Sequence, residues 1–454
     1  MSICSLFSAH GWRGLGVAAG LLLSTPLLAA GLLLSTPLLA APSLALTAPR
    51  EVVWADFLGV NAQFLWFDEA HYRQQVQQLQ SLGLNWVRVD LHWDRIEPAP
   101  GQWQLAPLDR LNEVLVEKNI NSLMYLVGSA PYASSAPNGA PNADQYPPMA
   151  PELFAESLGF LAQRYPAVKA WQVWNEPNLS AFWQPMEDPA AYQHLLNVSM
   201  NRLAVANPAA LRVGAGMAYY SQMSQRGGLM LEQLANAGAL SADQVVAYHP
   251  YSFKPEGDDP AVMDFVQRAI TLNQQLRARG SGPIWATEFG WSSYSGAVEW
   301  QPIIGERGQA DYLLKRIALM SALDFDRVFL FNLSDLDARA TPRDQKYGLL
   351  RLDGTPKPAF SALQRMLTIT GPRLKPDVAP AFSNAPAGML NIAWKRADGR
   401  WVWMFWAQQP GKVTLKRKGK GVLYDPLNGS QKSVTVGSAG LVIDVGTQLQ
   451  MIVM

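Results

Sequence analysis

Two glutamates stand where a carboxylate has little reason to be unless it reacts. Glu288 closes a mostly apolar run, Ile284-Trp285-Ala286-Thr287-Glu288-Phe289-Gly290-Trp291, where burying a charge without purpose would be costly. Glu176 sits in Trp174-Asn175-Glu176-Pro177-Asn178, directly after another apolar run, Val168 to Trp174. Two converging carboxylates are the equipment of glycoside cleavage. One protonates the leaving oxygen, and the other stands across the anomeric carbon from it while an oxocarbenium-like state forms.

Other polar side chains fall at matching places. His249 and Tyr251 end an apolar run in Tyr248-His249-Pro250-Tyr251, and a Tyr251 hydroxyl reaching Glu288 would hold that carboxylate ionised and oriented. Arg88 lies in an earlier run with a side chain that could enter the same space and add positive charge near Glu288; His92 and Trp93 follow just beyond. Trp183, Trp291 and Trp300 lie in loops and have the flat faces that stack on sugar rings. No His-Glu-x-x-His, Walker or dinucleotide glycine pattern occurs, His10, His71 and His194 are scattered, and the one cysteine is Cys4. No catalytic cofactor and no metal are expected.

Residues of this kind need a frame that brings distant strand ends together. From Trp54 onward short apolar runs alternate with amphipathic stretches, the pattern of repeated βα units. The strands are read as Phe57 to Phe64, Asn85 to Leu91, Ser122 to Val127, Val168 to Trp174, Arg212 to Met217, Gln244 to Tyr248, Pro283 to Thr287 and Arg327 to Asn332. Helical spacing of apolar residues marks stretches between them, such as His71 to Leu82, Pro151 to Tyr165 and Gly308 to Leu323. Eight such units predict an α/β fold, a (β/α)8 TIM barrel, whose active residues gather at the C-terminal strand ends. Glu176 then follows strand four and Glu288 closes strand seven.

After Leu363 the pattern becomes alternating strands separated by turns such as Asp398-Gly399 and Asn428-Gly429, which predicts a C-terminal β-sandwich. The domains are read as 1–45, a signal sequence or membrane anchor; 50–370, the catalytic barrel; and 371–454, the sandwich. The N-terminal reading rests on an uncharged stretch from Gly14 to Pro49, lengthened by an exact repeat of GLLLSTPLLAA at Gly20 to Ala30 and Gly31 to Ala41. Ser43-Leu44-Ala45 offers a small-x-small cleavage site. Export to the periplasm is expected, with the segment cleaved or held in the inner membrane. With 37 Lys and Arg against 36 Asp and Glu, and no long run of one sign, the chain lacks the electrostatic footprint of a nucleic-acid binder and a neutral partner is expected.

Asn-Glu-Pro after strand four and Thr-Glu-Phe-Gly-Trp at strand seven resemble the clan A glycoside hydrolases. With FLGVNAQFLWF at Phe57 to Phe67, VRVDLHWDRIEP at Val87 to Pro98, YHPY at Tyr248 to Tyr251 and YGLLRLDGTPKPAF at Tyr347 to Phe360, the chain resembles family 39 over most of its length after Trp54. The resemblance implies a retaining double displacement, with Glu176 as proton donor and base, Glu288 as nucleophile and Asn175 on the sugar 2-hydroxyl. From their places at the strand ends, Arg88, His92, Trp93, His249, Tyr251 and Trp291 are expected to contact the substrate. The resemblance also implies a monomeric endo-glycosidase whose partner is a polysaccharide, a mannose-rich exopolysaccharide, working beside exopolysaccharide biosynthesis machinery. An exo-acting β-xylosidase and a noncatalytic sugar-binding protein are the alternatives.

Overall fold

The computed structural model describes residues 43–219, 229–259, 262–297 and 301–454. The N-terminal uncharged segment up to residue 42 and Trp300 lie outside the described residues.

Eight parallel strands close a barrel: β1 Leu58–Asn61, β2 Trp86–His92, β3 Asn121–Val127, β4 Ala170–Val173, β5 Leu211–Val213, β6 Gln244–His249, β7 Ile284–Phe289 and β8 Arg327–Leu330. Each pairs with its neighbour, and β8 pairs with β1 to close the ring, for example Val328 opposite Leu58. A short strand, Met217–Ala218, runs beside the end of β6. Between strands, helices such as Glu69–Ser81, Pro151–Arg164 and Gly305–Ser321 turn apolar faces onto the barrel. The helix starting at Glu69 is capped by Asp68, whose side chain accepts from the His71 amide.

Strand side chains alternate between barrel interior and helix layer. The lower interior is apolar: Trp86, Leu123, Ala170, Val213, Val245, Ala247, Trp285 and Phe329 form one buried cluster. Gly59 belongs to this layer by necessity, because a Cβ there would meet the Phe329 ring. Two residues further along the same strands the interior turns polar, with Arg88 after Trp86, Gln172 after Ala170, His249 after Ala247 and Thr287 after Trp285. The barrel is thus an apolar plug carrying a buried polar layer at its C-terminal end.

The C-terminal region is two antiparallel sheets. Strands Met389–Arg396 and Trp401–Ala407 lie at the centre of the larger one and are buried on both faces. Leu390, Ile392, Trp394, Val402, Met404 and Trp406 join the barrel's core, whereas Met389, Ala393, Trp401, Trp403 and Phe405 face the second sheet, 382–383, 411–415 and 441–445. Trp406 Nε1 donates to Glu256 Oε1 at 2.7 Å, tying this region to the barrel loop after β6. Leu44–Leu46 is a strand paired in parallel with Leu390, Asn391 and Ile392. An apolar tripeptide at the end of an apolar run reads as more of that run, yet here it completes a sheet edge.

Candidate active site

Glu176 follows β4 on an unusual backbone. Trp174 and Glu176 both have positive φ, 70° and 41°, a conformation that L side chains adopt only when their surroundings enforce it. The enforcing contacts are visible: the Glu176 amide donates to Gly216 O at 3.0 Å, and Asn178 bonds Ala218 through both its amide and its oxygen. These contacts lift the Glu176 carboxyl out of the strand line and over the polar layer.

Glu288 arrives by another device. Trp285 and Thr287 point into the barrel, so a regular strand would turn Glu288 outward. The register of β7 against β8 shifts between Ala286 and Phe289, a bulge-like irregularity at this pair. Such an irregularity re-aims a side chain, and both Thr287 and Glu288 reach the site.

The two carboxylates meet around His249 and Arg88. Glu176, His249 and Glu288 each place one donor atom within 4.8 Å of the others. Arg88 Nη1 donates to Glu288 Oε1 at 2.6 Å and to Asn61 Oδ1 at 2.8 Å; its Nη2 donates to Asn175 Oδ1 at 2.8 Å and its Nε to Gln172 Oε1 at 3.1 Å. The guanidinium also lies over the Tyr125 ring, 3.9 Å from its centre. Four acceptors and a ring hold one buried cation, and that cation is aimed at Glu288 rather than Glu176. Tyr251 donates to Glu288 Oε2 at 3.1 Å; burial first, and then the charge of Glu288, keep its hydroxyl protonated well above the usual range.

Glu176 has a poorer environment for charge. Its Oε1 lies 2.6 Å from His249 Nδ1, and burial pushes its carboxyl up to about 8, with Arg88 opposing only in part. Burial lowers the His249 imidazole to about 3, so the ring is neutral at ordinary pH and brings no positive charge to Glu176. One carboxyl therefore holds a proton near neutrality, and the other is paired with a guanidinium. The three donor atoms could also hold a divalent cation, although Arg88 already brings positive charge to Glu288.

The structure brings Glu176, Glu288, Arg88, Asn175, His249 and Tyr251 together. His92, the last residue of β2, stands at the rim, its Nε2 3.2 Å from Asp90 Oδ2. Trp93 and Trp291 are corrections. Trp93 is fully buried between Tyr132 and Phe154, its Nε1 donating to Glu97. Trp291 is 1% exposed and donates to Ser252 O at 2.9 Å, under the loop that carries Tyr251. Trp183 likewise packs edge-on against Trp174 and Tyr192. The rings fill the core beneath the mouth and present no face to a ligand. Sequence reading missed Asn61, Gln172, Tyr125 and Thr287; the available signal was an amide or hydroxyl inside an otherwise apolar strand.

No protein-family model matches the sequence, and no curated protein matches it. Solved structures do match in fold. A family 39 glycoside hydrolase from Bacteroides cellulosilyticus WH2 superposes with a TM-score of 0.67 at 19% identity, covering 90% of this chain and 83% of that one. A monomeric beta-xylosidase from Caulobacter crescentus CB15 gives 0.61 at 18%, covering 91% and 99%. A GH30 endoxylanase from Clostridium papyrosolvens C71 gives 0.58 at 12%, covering 90% and 98%. At these identities the likeness is one of fold, and it spans barrel and C-terminal sheets alike.

Proposed function

We propose that the protein is a retaining glycoside hydrolase that cuts a polysaccharide by double displacement. The observation that carries this reading is the pair itself: two buried carboxyls with oxygens within 4.8 Å, one protonated near neutrality and one bonded to Arg88 and Tyr251. Retaining enzymes hold their carboxyls about 5–5.5 Å apart, while inverting ones leave about 6.5–9.5 Å for a water. Glu288 attacks the anomeric carbon as Glu176 passes its proton to the leaving oxygen. Glu176, now a carboxylate, then takes a proton from water as that water displaces Glu288. Asn175, whose Oδ1 is held by Arg88, offers its amide NH2, unpaired among the described residues, to the sugar 2-hydroxyl.

The finer reading is endo-hydrolysis of a mannose-rich exopolysaccharide, outside the cytoplasm and beside the machinery that makes the polymer. It draws on the motif resemblance to PslG, the Psl-exopolysaccharide glycosidase of pseudomonads, and on the uncharged N-terminal segment. The loop after β3 supports it too, since Gln184 N donates to Gln145 O and braces that loop against the loop after β4, in keeping with one wall of a groove. The fold likeness to a beta-xylosidase favours an exo-acting alternative. Product size from a long mannose-rich exopolysaccharide separates them: early oligosaccharides with a fast fall in polymer length are expected. Monosaccharide alone would favour the exo reading, and binding without new reducing ends would make the protein a noncatalytic binder.

A further inference from the structure

The chain of contacts that begins at Glu176 does not end at the imidazole. His249 Nε2 lies 3.0 Å from Thr287 Oγ1, and His249 and Thr287 are both fully buried. The neutral ring carries a single proton, and its surroundings decide which nitrogen holds it. Nδ1 faces two carboxyl oxygens, Glu176 Oε1 at 2.6 Å and Glu288 Oε2 at 3.7 Å. A lone pair there would oppose the Glu288 oxygen and would accept the Glu176 proton, whereas an N–H is attracted to both oxygens. Nε2 faces a hydroxyl, which can give a proton as readily as take one.

We propose that Thr287 is a positioning residue that sets the tautomer of His249. Its hydroxyl donates to Nε2, the ring proton stays on Nδ1 and bonds Glu176 Oε1, and the acid's own proton is kept on Oε2, facing the leaving group. The inference rests on the glycosidase reading and deepens it. With the opposite tautomer, the Nδ1 lone pair would draw the Glu176 proton onto Oε1 and bind it to the ring. With this one, the Oε2 proton passes to the glycosidic oxygen as the bond from that oxygen to the anomeric carbon breaks and the bond from Glu288 forms. Water returns a proton to Oε2 in the second step. His249 gains and loses nothing, and its Nδ1–H serves the acid and the carboxylate alike.

The local fold is built for this contact. Alternation along β7 sends Thr287 inward beside His249, while the register shift re-aims Glu288. Gly216, which carries the carbonyl that accepts from the Glu176 amide, is flush against the pair: a Cβ there would collide with His249 Nε2 and Thr287 Oγ1. Arg88 and Tyr251 donate to Glu288, while the Thr287 hydroxyl faces Nε2.

The test has two arms. Nitrogen-15 NMR of the histidine-labelled full chain reads the tautomer of His249 directly, with Thr287→Val and Thr287→Ser beside it. The unaltered chain and Thr287→Ser are expected to show Nδ1–H, and Thr287→Val a mixture. In the second arm, kcat/KM is measured on aryl and alkyl β-mannosides, β-glucosides and β-xylosides. Thr287→Val should lose on the order of tenfold more activity on alkyl leaving groups, which need the proton, than on 2,4-dinitrophenyl ones, which do not; Thr287→Ser should restore the ratio. An Nε2–H tautomer in the unaltered chain, or equal loss on both leaving groups, overturns the proposal. If the unaltered chain cleaves no glycoside, the glycosidase reading falls and the NMR spectrum alone decides the tautomer. If Thr287→Val does not fold, the spectra of the unaltered chain and Thr287→Ser decide it.

Discussion

Glu97, in the loop after β2, and Glu176, after β4, are both buried carboxyls, 5% and 4% exposed. Their surroundings differ in one respect. Glu97 Oε2 accepts from Trp93 Nε1 at 2.7 Å and from Ser157 Oγ at 2.6 Å, and its Oε1 accepts from the Gly101 amide at 3.0 Å. Three donors from three segments are committed to it, and it pins the loop to the helix Pro151–Arg164. Glu176 Oε1 meets one imidazole nitrogen, and among the described residues no donor is committed to its second oxygen in the same way. Burial therefore does not make a carboxyl reactive. A buried carboxyl becomes an acid where the protein withholds the donors that would stabilise its charge.

The comparison breaks most visibly if the wrong glutamate matters. Glu176→Gln and Glu288→Gln should each lower kcat by several orders of magnitude, with circular dichroism and melting showing an intact fold, because each removes one role in the proposed two-step reaction. Normal turnover in either variant would sink the assignment.

The pH response sharpens the same contrast. In the proposed reaction Glu176 acts in its protonated form, so kcat/KM should fall as pH rises through about 8. Stability follows the same sign. The folded carboxyl keeps its proton to about 8, while the unfolded one loses it near its ordinary 4.5. The contribution of the neutral group is thus fully present below 4.5 and lost as pH rises through about 8. Glu176→Gln cannot ionise, so its Tm should gain on that of the unaltered chain between pH 5 and 9, on the order of a few degrees. A constant Tm difference across that range would contradict the raised acid.

Glu97 should matter to the fold and not to turnover. Glu97→Gln turns an amide NH2 toward donors and should cost about 1–3 kcal/mol in urea unfolding, leaving kcat of the folded protein at the level of the unaltered chain. Smaller still is Trp291→Phe, which loses the bond to Ser252 O and should lower stability by about 1 kcal/mol without raising KM. A large rise in KM would restore that ring to the binding surface.

What could be read in advance follows from which costs show in sequence. A carboxylate at the end of an apolar strand stands out because burying it is expensive, and βα alternation gives the strand count; together these locate Glu176 and Glu288. Asn61, Gln172 and Thr287 are cheap to leave exposed, so their burial around Arg88 and His249 depended on a register that only pairing fixes. The tryptophans failed for the opposite reason, since one large ring suits a core and a sugar platform equally. Trp93 and Trp291 went to the core because Glu97 and Ser252 O, out of sight in the sequence, take their indole protons.

The most direct test of the double displacement is the stereochemistry of the first product, followed by proton NMR during hydrolysis of an aryl glycoside before the free sugar mutarotates. Carboxyl oxygens within 4.8 Å leave no room for a water between nucleophile and anomeric carbon, so the anomer formed first should have the configuration of the substrate. An inverted anomer as the first product would contradict the account.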